Sequence, residues 1–403
     1  MLTQQIPTPT LQLADWAKTM SRSVLRQMIA VVSRPGILSF AGGLPDPALF
    51  PAAELSQAMA HVLANDPLAL QYRPPFPPLK RHIVKLMAQR SVACTEEQVF
   101  ITTGAQQGLD VLARLLLNPG SEVMLEEIVY TGAQQAVSPH QPYILTVPTD
   151  LETGIDVDVL ETHLAGGARP AFLYVIPTAH NPLGVSISPE KRGRLAALAR
   201  QYGVPIVEDD PYGFLTYGDW GSGNGENQLP LRALDDEWVF YLGSFSKILA
   251  PGLRLGWMIA PEHLIPKLTV VKEMGDLESS ALMQRAVAAY LDAGHLPDHL
   301  ATLREVYGRR RDAMLSALSR HFPATACWTH PDAGMFIWVE LPEHIDTAVL
   351  LETAVAQEKV AFIPGHAFAL HGTPAQNCLR LNFSNATPEQ IEDGIARLGK
   401  LIN

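Results

Sequence analysis

Val239-Phe240-Tyr241-Leu242-Gly243-Ser244-Phe245-Ser246-Lys247-Ile248-Leu249-Ala250-Pro251-Gly252-Leu253-Arg254-Leu255-Gly256 decides how the rest of this chain is read. Its first four residues form a short apolar run of the kind that makes a buried strand. Pro251-Gly252 then breaks the chain before a second apolar stretch, Leu253 to Ala260. Lys247 therefore stands at a strand end, where an amine can be desolvated and made nucleophilic. Ser244 and Ser246 precede it closely and Arg254 follows. Hydroxyls and a guanidinium around an amine suit a bound phosphate.

Two rival readings compete for the same segment. A lysine in a loop is most often a solvated surface charge. Ser244-x-x-Lys247 also spells the nucleophile motif of penicillin-binding enzymes. That motif requires Ser-Asp-Asn and Lys-Thr-Gly partners, which the chain lacks. It also requires a helix, which Pro251-Gly252 would cut short.

Outward from this segment, short apolar runs alternate with amphipathic stretches. Val99 to Ile101, Val123 to Leu125, Ala171 to Ile176, Val204 to Val207, Val239 to Leu242 and Leu255 to Ile259 read as strands. Gly108 to Leu117 and Pro189 to Tyr202 read as helices between them. Such alternation implies a mostly parallel sheet covered on both faces, with ligands at the carboxyl ends of the strands. After Glu278 the pattern turns helical, over Ser280 to Ala293 and Leu300 to His321, followed by a strand candidate at Gly334 to Leu341. A smaller α+β domain is expected there. Asp219 to Pro230, rich in Gly and Asn, reads as a surface loop.

At 403 residues the chain has room for two domains, and 47% hydrophobic with 18% charged residues is ordinary for a well-packed protein. A net charge of -11 argues against nucleic acid or an anionic membrane as the main partner. Cys94, Cys327 and Cys378 show no metal-ligand spacing, so no metal is expected. Few cysteines fit a reducing compartment. Met1 to Asp15 lacks the form of a signal peptide, and no run approaches the roughly 20 apolar residues of a membrane helix. A cytoplasmic location is the expectation.

Four further segments could converge on Lys247. Thr102-Thr103-Gly104-Ala105-Gln106-Gln107-Gly108 joins a strand to a helix, whose N-terminus is either an anion site or a plain glycine turn. Asn181-Pro182 follows the strand ending at Ile176 and is by itself a common turn device. Glu208-Asp209-Asp210-Pro211-Tyr212 places three carboxylates at a strand end, which repel one another unless some meet cations. Arg380 sits in the apolar run Cys378 to Phe383. It is either an anion ligand or an outward-facing residue of a half-exposed strand.

Together these motifs resemble the fold type I pyridoxal-phosphate (PLP) aminotransferases of class I/II. Asn-Pro-x-Gly, Glu-Asp-Asp-x-Tyr and Gly-Ser-Phe-Ser-Lys-x-Leu-x-Pro-Gly-Leu-Arg occur in that family's order. Pro35 to Pro45 is similar to the opening of the branch containing 2-aminoadipate and kynurenine aminotransferases. The resemblance runs from about Leu25 to Leu398. It implies an α/β PLP-transferase fold: a large domain with a mostly parallel seven-stranded sheet between helices, plus a smaller α+β domain. The expected divisions are an N-terminal segment, 1–45, packing with the small domain, a large PLP-binding domain, 46–295, and a small domain, 296–403.

The resemblance also implies roles. Lys247 would carry the cofactor as an aldimine and act as acid and base, Asp209 would pair with the pyridine nitrogen, and Asn181 and Tyr212 would bind the phenolic oxygen. Tyr130 would stack on the ring, and Ala105, Gln106, Ser244, Ser246 and Arg254 would hold the phosphate. Arg380 would grip the substrate carboxylate, with Gly43, Asn181 and Arg26 also near substrate. Arg26 could equally be a solvated helix residue; His180 could also face the substrate, but a satisfied structural histidine is the expectation. Tyr72 would reach the partner subunit's phosphate in a homodimer with shared sites.

Ala105 in place of serine, Ala179-His180 before the Asn-Pro motif, Leu183 after it and the short Arg73 to Pro78 segment depart from the family pattern. The expected activity is transamination between an L-amino acid and a 2-oxo acid. The alternatives are another fate of the Cα carbanion (elimination, replacement, cyclisation or oxidation) and a PLP-sensing binding protein.

Overall fold

A computed structural model describes residues 12–18, 36–217, 228–370 and 374–402. Seven strands form the central sheet: β1 (Val99–Thr102), β2 (Glu122–Glu126), β3 (Tyr143–Val147), β4 (Leu173–Val175), β5 (Ile206–Asp209), β6 (Val239–Ser244) and β7 (Gly256–Ile259). Their order is β1-β7-β6-β5-β4-β2-β3. All pairings are parallel except those of β7, which runs antiparallel to both β1 and β6.

Strand alternation divides the core between the two faces. Met124, Leu173, Val175, Ile206 and Val239 pack on one side, with the helices Val157–Ala165 and Pro189–Tyr202. Val123, Leu125, Tyr174, Val207 and Phe240 belong to the other side, with Leu109 and Leu112 of the helix Ala105–Leu116. Six of the seven strands were visible as apolar runs in the sequence. β3 was not, because it is an edge strand whose residues are exposed or half-buried up to Val147.

The helix Pro189–Tyr202 shows why boundaries fall where they do. Ser188 caps it through a hydrogen bond from the Lys191 amide, Pro189 suits its first turn, and Gly203 ends it at φ +65°. The sequence pattern placed the later long helix from Leu300. It begins at Leu296, because Pro297 is tolerated in a first turn.

Four strands make a second, antiparallel sheet: β8 (Cys327–Trp328), β9 (Phe336–Glu340), β10 (Ile363–Pro364) and β11 (Cys378–Asn382), in the order β8-β9-β11-β10. The helix Leu296–His321 packs against the helix Pro388–Ile402 beside it. Leu38–Ser39 pairs in parallel with Val360–Ala361, tying the early chain to this region. No described helix is long and apolar enough to cross a membrane. Arg26 and most of the loop expected at Asp219 to Pro230 lie outside the described residues.

Candidate active site

β1, β4, β5 and β6 are co-directional, so their carboxyl ends open on one edge of the sheet. Each end delivers one of the segments singled out above. A cavity of about 580 Å³ lies there, lined by Gly43, Ala105, Gln106, Tyr130, Asn181, Asp209, Tyr212, Ser244, Ser246, Lys247, Arg254 and Arg380. Thus twelve residues distributed from position 43 to 380 face one space. Tyr72 does not; its side chain is 80% exposed on the surface of the single chain.

Lys247 sits in the turn after β6, and its Nζ donates to the Gly43 carbonyl at 2.7 Å. Burial, then the guanidiniums of Arg380 and Arg254, push its pKa down to about 8, partly opposed by Asp209. An amine so placed is neutral far more often at neutral pH than an exposed lysine.

The three successive carboxylates at the end of β5 find three different environments. Glu208 accepts from the backbone amides of Leu231 and Arg232 at 2.8 and 2.9 Å, and burial raises it to about 7. Asp210 accepts from Arg90 and from the Tyr241 hydroxyl, both at 3.1 Å. Asp209 points the other way, into the cavity. Its Oδ2 accepts from the Tyr174 hydroxyl at 2.8 Å, while its buried Oδ1 has no hydrogen-bond partner among the described residues. Burial lifts Asp209 to about 7, against the opposing hydrogen bond from Tyr174.

Arg380, central in β11, is 1% exposed. Its Nη1 donates to Asn181 Oδ1 at 2.8 Å and its Nη2 to the Ala41 carbonyl at 2.6 Å. The guanidinium lies 4.2 and 4.9 Å from the ring centres of Phe336 and Phe368, which hold its plane. Burial lowers its pKa to about 10, still firmly charged. A buried guanidinium resting on two neutral oxygens is well suited to take a carboxylate in their place.

A second group of cavity-lining residues surrounds the N-terminus of the helix Ala105–Leu116. Gly104, at φ +87°, caps the helix Ala105–Leu116, and no side chain caps its first turn. Arg254, itself left-handed at φ +48°, donates to the Thr103 carbonyl at 3.0 Å. Glycine suits position 104, where a side chain would be strained by the positive φ and its Cβ would lie 2.7 Å from Arg254 Nη2. Ser244 Oγ accepts from the Ser246 amide at 3.1 Å. Gln106 accepts from the Tyr130 hydroxyl at 3.3 Å and donates to the Gly132 carbonyl at 2.8 Å, which positions the Tyr130 ring. Burial raises Tyr130 to about 12, and raises Tyr212 further, so both are neutral phenols.

Some contributors were missed in the sequence. Tyr174 lies unremarked inside the apolar strand candidate Ala171 to Ile176; a lone hydroxyl in such a run was the available signal. Arg192 donates to Pro177 O at 2.6 Å and Thr178 Oγ1 at 3.2 Å, fixing the segment that leads to Asn181. His180 is buried, its Nε2 3.2 Å from Glu126 Oε2, as a structural histidine would be.

Comparison with known proteins agrees with this geometry. The pattern "Aminotransferase class I and II" matches residues 41–398. The chain is 39% identical to aromatic-amino-acid aminotransferase 1 of Thermococcus litoralis, over 100% of this chain and 97% of that protein. It superposes on the kynurenine aminotransferase of Pyrococcus horikoshii with TM-score 0.90 at 37% identity, covering 97% of this chain and 96% of the other. The alpha-aminoadipate aminotransferase of Thermus thermophilus, in complex with N-(5'-phosphopyridoxyl)-L-leucine, gives TM-score 0.88 at 37% identity, covering 97% of each chain.

Proposed function

The chain belongs to the class I and II aminotransferase family, and from that premise we propose how its own residues divide the work of transamination. It is a PLP-dependent aminotransferase of fold type I. The observation that carries the assignment of roles is the placing of Lys247, Asp209 and Arg380 around one cavity, with an amine of lowered pKa between a carboxylate and a guanidinium.

The residues fit the cofactor. Asp209 offers a buried carboxylate oxygen without a partner, as a protonated ring nitrogen requires. Arg254, Ser244, Ser246 and the first amides of the helix Ala105–Leu116 supply the donors a phosphate needs. Tyr130 would cover the ring, and Asn181 and Tyr212 would hold its phenolic oxygen. When bound, PLP supplies a carbonyl carbon that captures amines and a ring that accepts the electrons released at the substrate Cα.

Lys247 Nζ leaves the Gly43 carbonyl to take the Cα proton and return it, a task its lowered pKa favours near neutral pH. Arg380 exchanges Asn181 and Ala41 for the substrate carboxylate and so orients the Cα–H bond. Asp209 keeps a proton on the ring nitrogen. Ile37, Leu44, Ile176 and Pro211 give the cavity its apolar lining.

The donor is an L-amino acid with a large side chain and the acceptor a 2-oxo acid. The cavity size supports this, as do relatives whose names cite aromatic, kynurenine and aminoadipate substrates. The working form is a cytoplasmic homodimer serving amino-acid biosynthesis. Exposed apolar side chains at Leu70, Tyr72, Met274 and Leu277 support a partner surface, and Tyr72 reaches across it. The large domain spans 46–295 and the small one 296–403, and the pairing of Leu38–Ser39 with Val360–Ala361 supports grouping the segment around Leu38 with the latter.

The test is a single half-reaction. Mixed with one amino acid and no acceptor, the enzyme should yield one equivalent of 2-oxo acid per site and the aminated cofactor. Continued release of ammonia would overturn the reading, as would turnover by Lys247→Ala.

A further inference from the structure

We propose that Tyr174 is a positioning residue that sets the charge state of Asp209, and through it the protonation of the cofactor's ring nitrogen. The inference rests on the role given to Asp209 above and concerns a residue none of the motifs includes.

Tyr174 is fully buried in the middle of β4, and strand register brings it beside Val207, two residues before Asp209 on β5. Both side chains emerge on the same face. The phenol donates to Oδ2 at 2.8 Å, which leaves Oδ1, buried and without a hydrogen-bond partner among the described residues, as the oxygen still able to take one. Burial raises Tyr174 well above an ordinary phenol, so it is neutral and its single proton goes to the carboxylate. Other charged or titratable groups acting on Asp209 are Asp210, which disfavours its ionisation, and Lys247, which favours it. Tyr130 and Tyr212 also lie within electrostatic reach of it. Among these, Tyr174 alone donates a hydrogen bond to the carboxylate.

The arrangement has two consequences. The hydrogen bond holds one oxygen still, so the other keeps a constant direction. It also favours the ionised carboxylate against the desolvation that favours the acid. Without it, Asp209, already raised to about 7 with the bond in place, would hold its own proton over more of the neutral range and hold one on the ring nitrogen less well.

Tyr241 supplies a matched control. It too is a buried tyrosine, fully enclosed, donating at 3.1 Å to an aspartate of the same run, but to Asp210 rather than Asp209. Tyr174→Phe should lower kcat of the loaded enzyme about tenfold with KM for the donor little changed. The pH midpoint of the bound cofactor's absorption should move as well. Tyr241→Phe should cost thermal stability without moving that midpoint. In the cofactor-free protein, infrared titration of the Asp209 carboxyl, assigned with Asp209→Asn, should shift upward in Tyr174→Phe. Replacing Tyr174 with 3-fluorotyrosine, a stronger donor of the same shape, should shift it downward, and serves if the phenylalanine variant fails to fold.

Equal behaviour of the two phenylalanine variants, or an unmoved Asp209 midpoint, would overturn the proposal. If Asp209→Asn itself remained fully active, the role of Asp209 would fall instead, so the two failures are distinguishable.

Discussion

Arg380 Nη1 lies 2.8 Å from Asn181 Oδ1, so the strand β11 and the turn after β4 meet at one hydrogen bond across 199 positions of sequence. Both groups line the cavity, and both are expected to change partners when substrate enters. Arg380→Ala should therefore raise KM for amino acid and 2-oxo acid alike. The loss in kcat/KM should be about 2–5 kcal/mol, the usual cost of truncating a desolvated charge pair. Steady-state kinetics with two unrelated donors checks it; a loss confined to one donor would place Arg380 at the side chain rather than the carboxylate.

Gly104→Ala should disturb the phosphate end selectively. The backbone is at φ +87° and the new Cβ would lie 2.7 Å from Arg254 Nη2. Strain of about 1–3 kcal/mol is expected in denaturant unfolding, together with a weaker PLP dissociation constant. Gly120→Ala, also at positive φ but with open space around it, should cost stability and leave PLP affinity intact.

The cofactor-free protein should show the charge of Asp209 in its melting. Its pKa rises from 3.8 to about 7 on folding, so the folded state binds the extra proton between those values. Stability from this group is present at low pH and lost as pH rises through about 7. Asp209→Asn removes the loss and should be more stable than the wild type by about 2–4 kcal/mol at pH 8. The difference should shrink toward pH 4 in calorimetry, and a constant difference would show that desolvation of Asp209 is not its source.

Lys247 has the opposite sign. Folding lowers its pKa from 10.5 to about 8, so the unfolded chain holds the extra proton between pH 8 and 10.5 and folding gains as pH rises through that window. In the cofactor-free protein, acylation of Lys247 mapped by peptide mass spectrometry should follow a midpoint near 8.

Shared sites have a simple arithmetic. Mixing Lys247→Ala and Tyr72→Ala subunits should give hybrids in which one site carries both defects and the other carries none. Activity should return to about half that of the wild type in the hybrid population. No recovery, in a mixture shown to exchange subunits, would place Tyr72 outside the neighbouring site.

The parts of this molecule that were legible in the sequence share a physical cause. Lys247, Asp209 and Asn181 each follow an apolar run, and a parallel sheet gathers the ends of such runs at one edge. β3 was illegible because an edge strand need not be apolar on both faces. Tyr174 was hidden because its ring packs as core and only its hydroxyl acts. The partners of Arg380 were hidden for another reason. The Ala41 carbonyl is backbone, and backbone carries no residue-specific signal. The separate environments of Glu208, Asp209 and Asp210 needed the positions of Arg90, Tyr241 and the Leu231 amide, all distant in sequence.

The parallel pairing of Leu38–Ser39 with Val360–Ala361 bears on how the protein is made. The segment just beyond it supplies the Gly43 carbonyl to Lys247 and the Ala41 carbonyl to Arg380, a residue 339 positions later. A ribosome must therefore translate past Ala361 before the strand at Leu38 has a partner. The seven-stranded sheet can close as soon as Ile259 has emerged, while the site above it stays incomplete. Nascent chains are thus expected to dwell as a folded but inactive body until Ala361 and Arg380 have emerged.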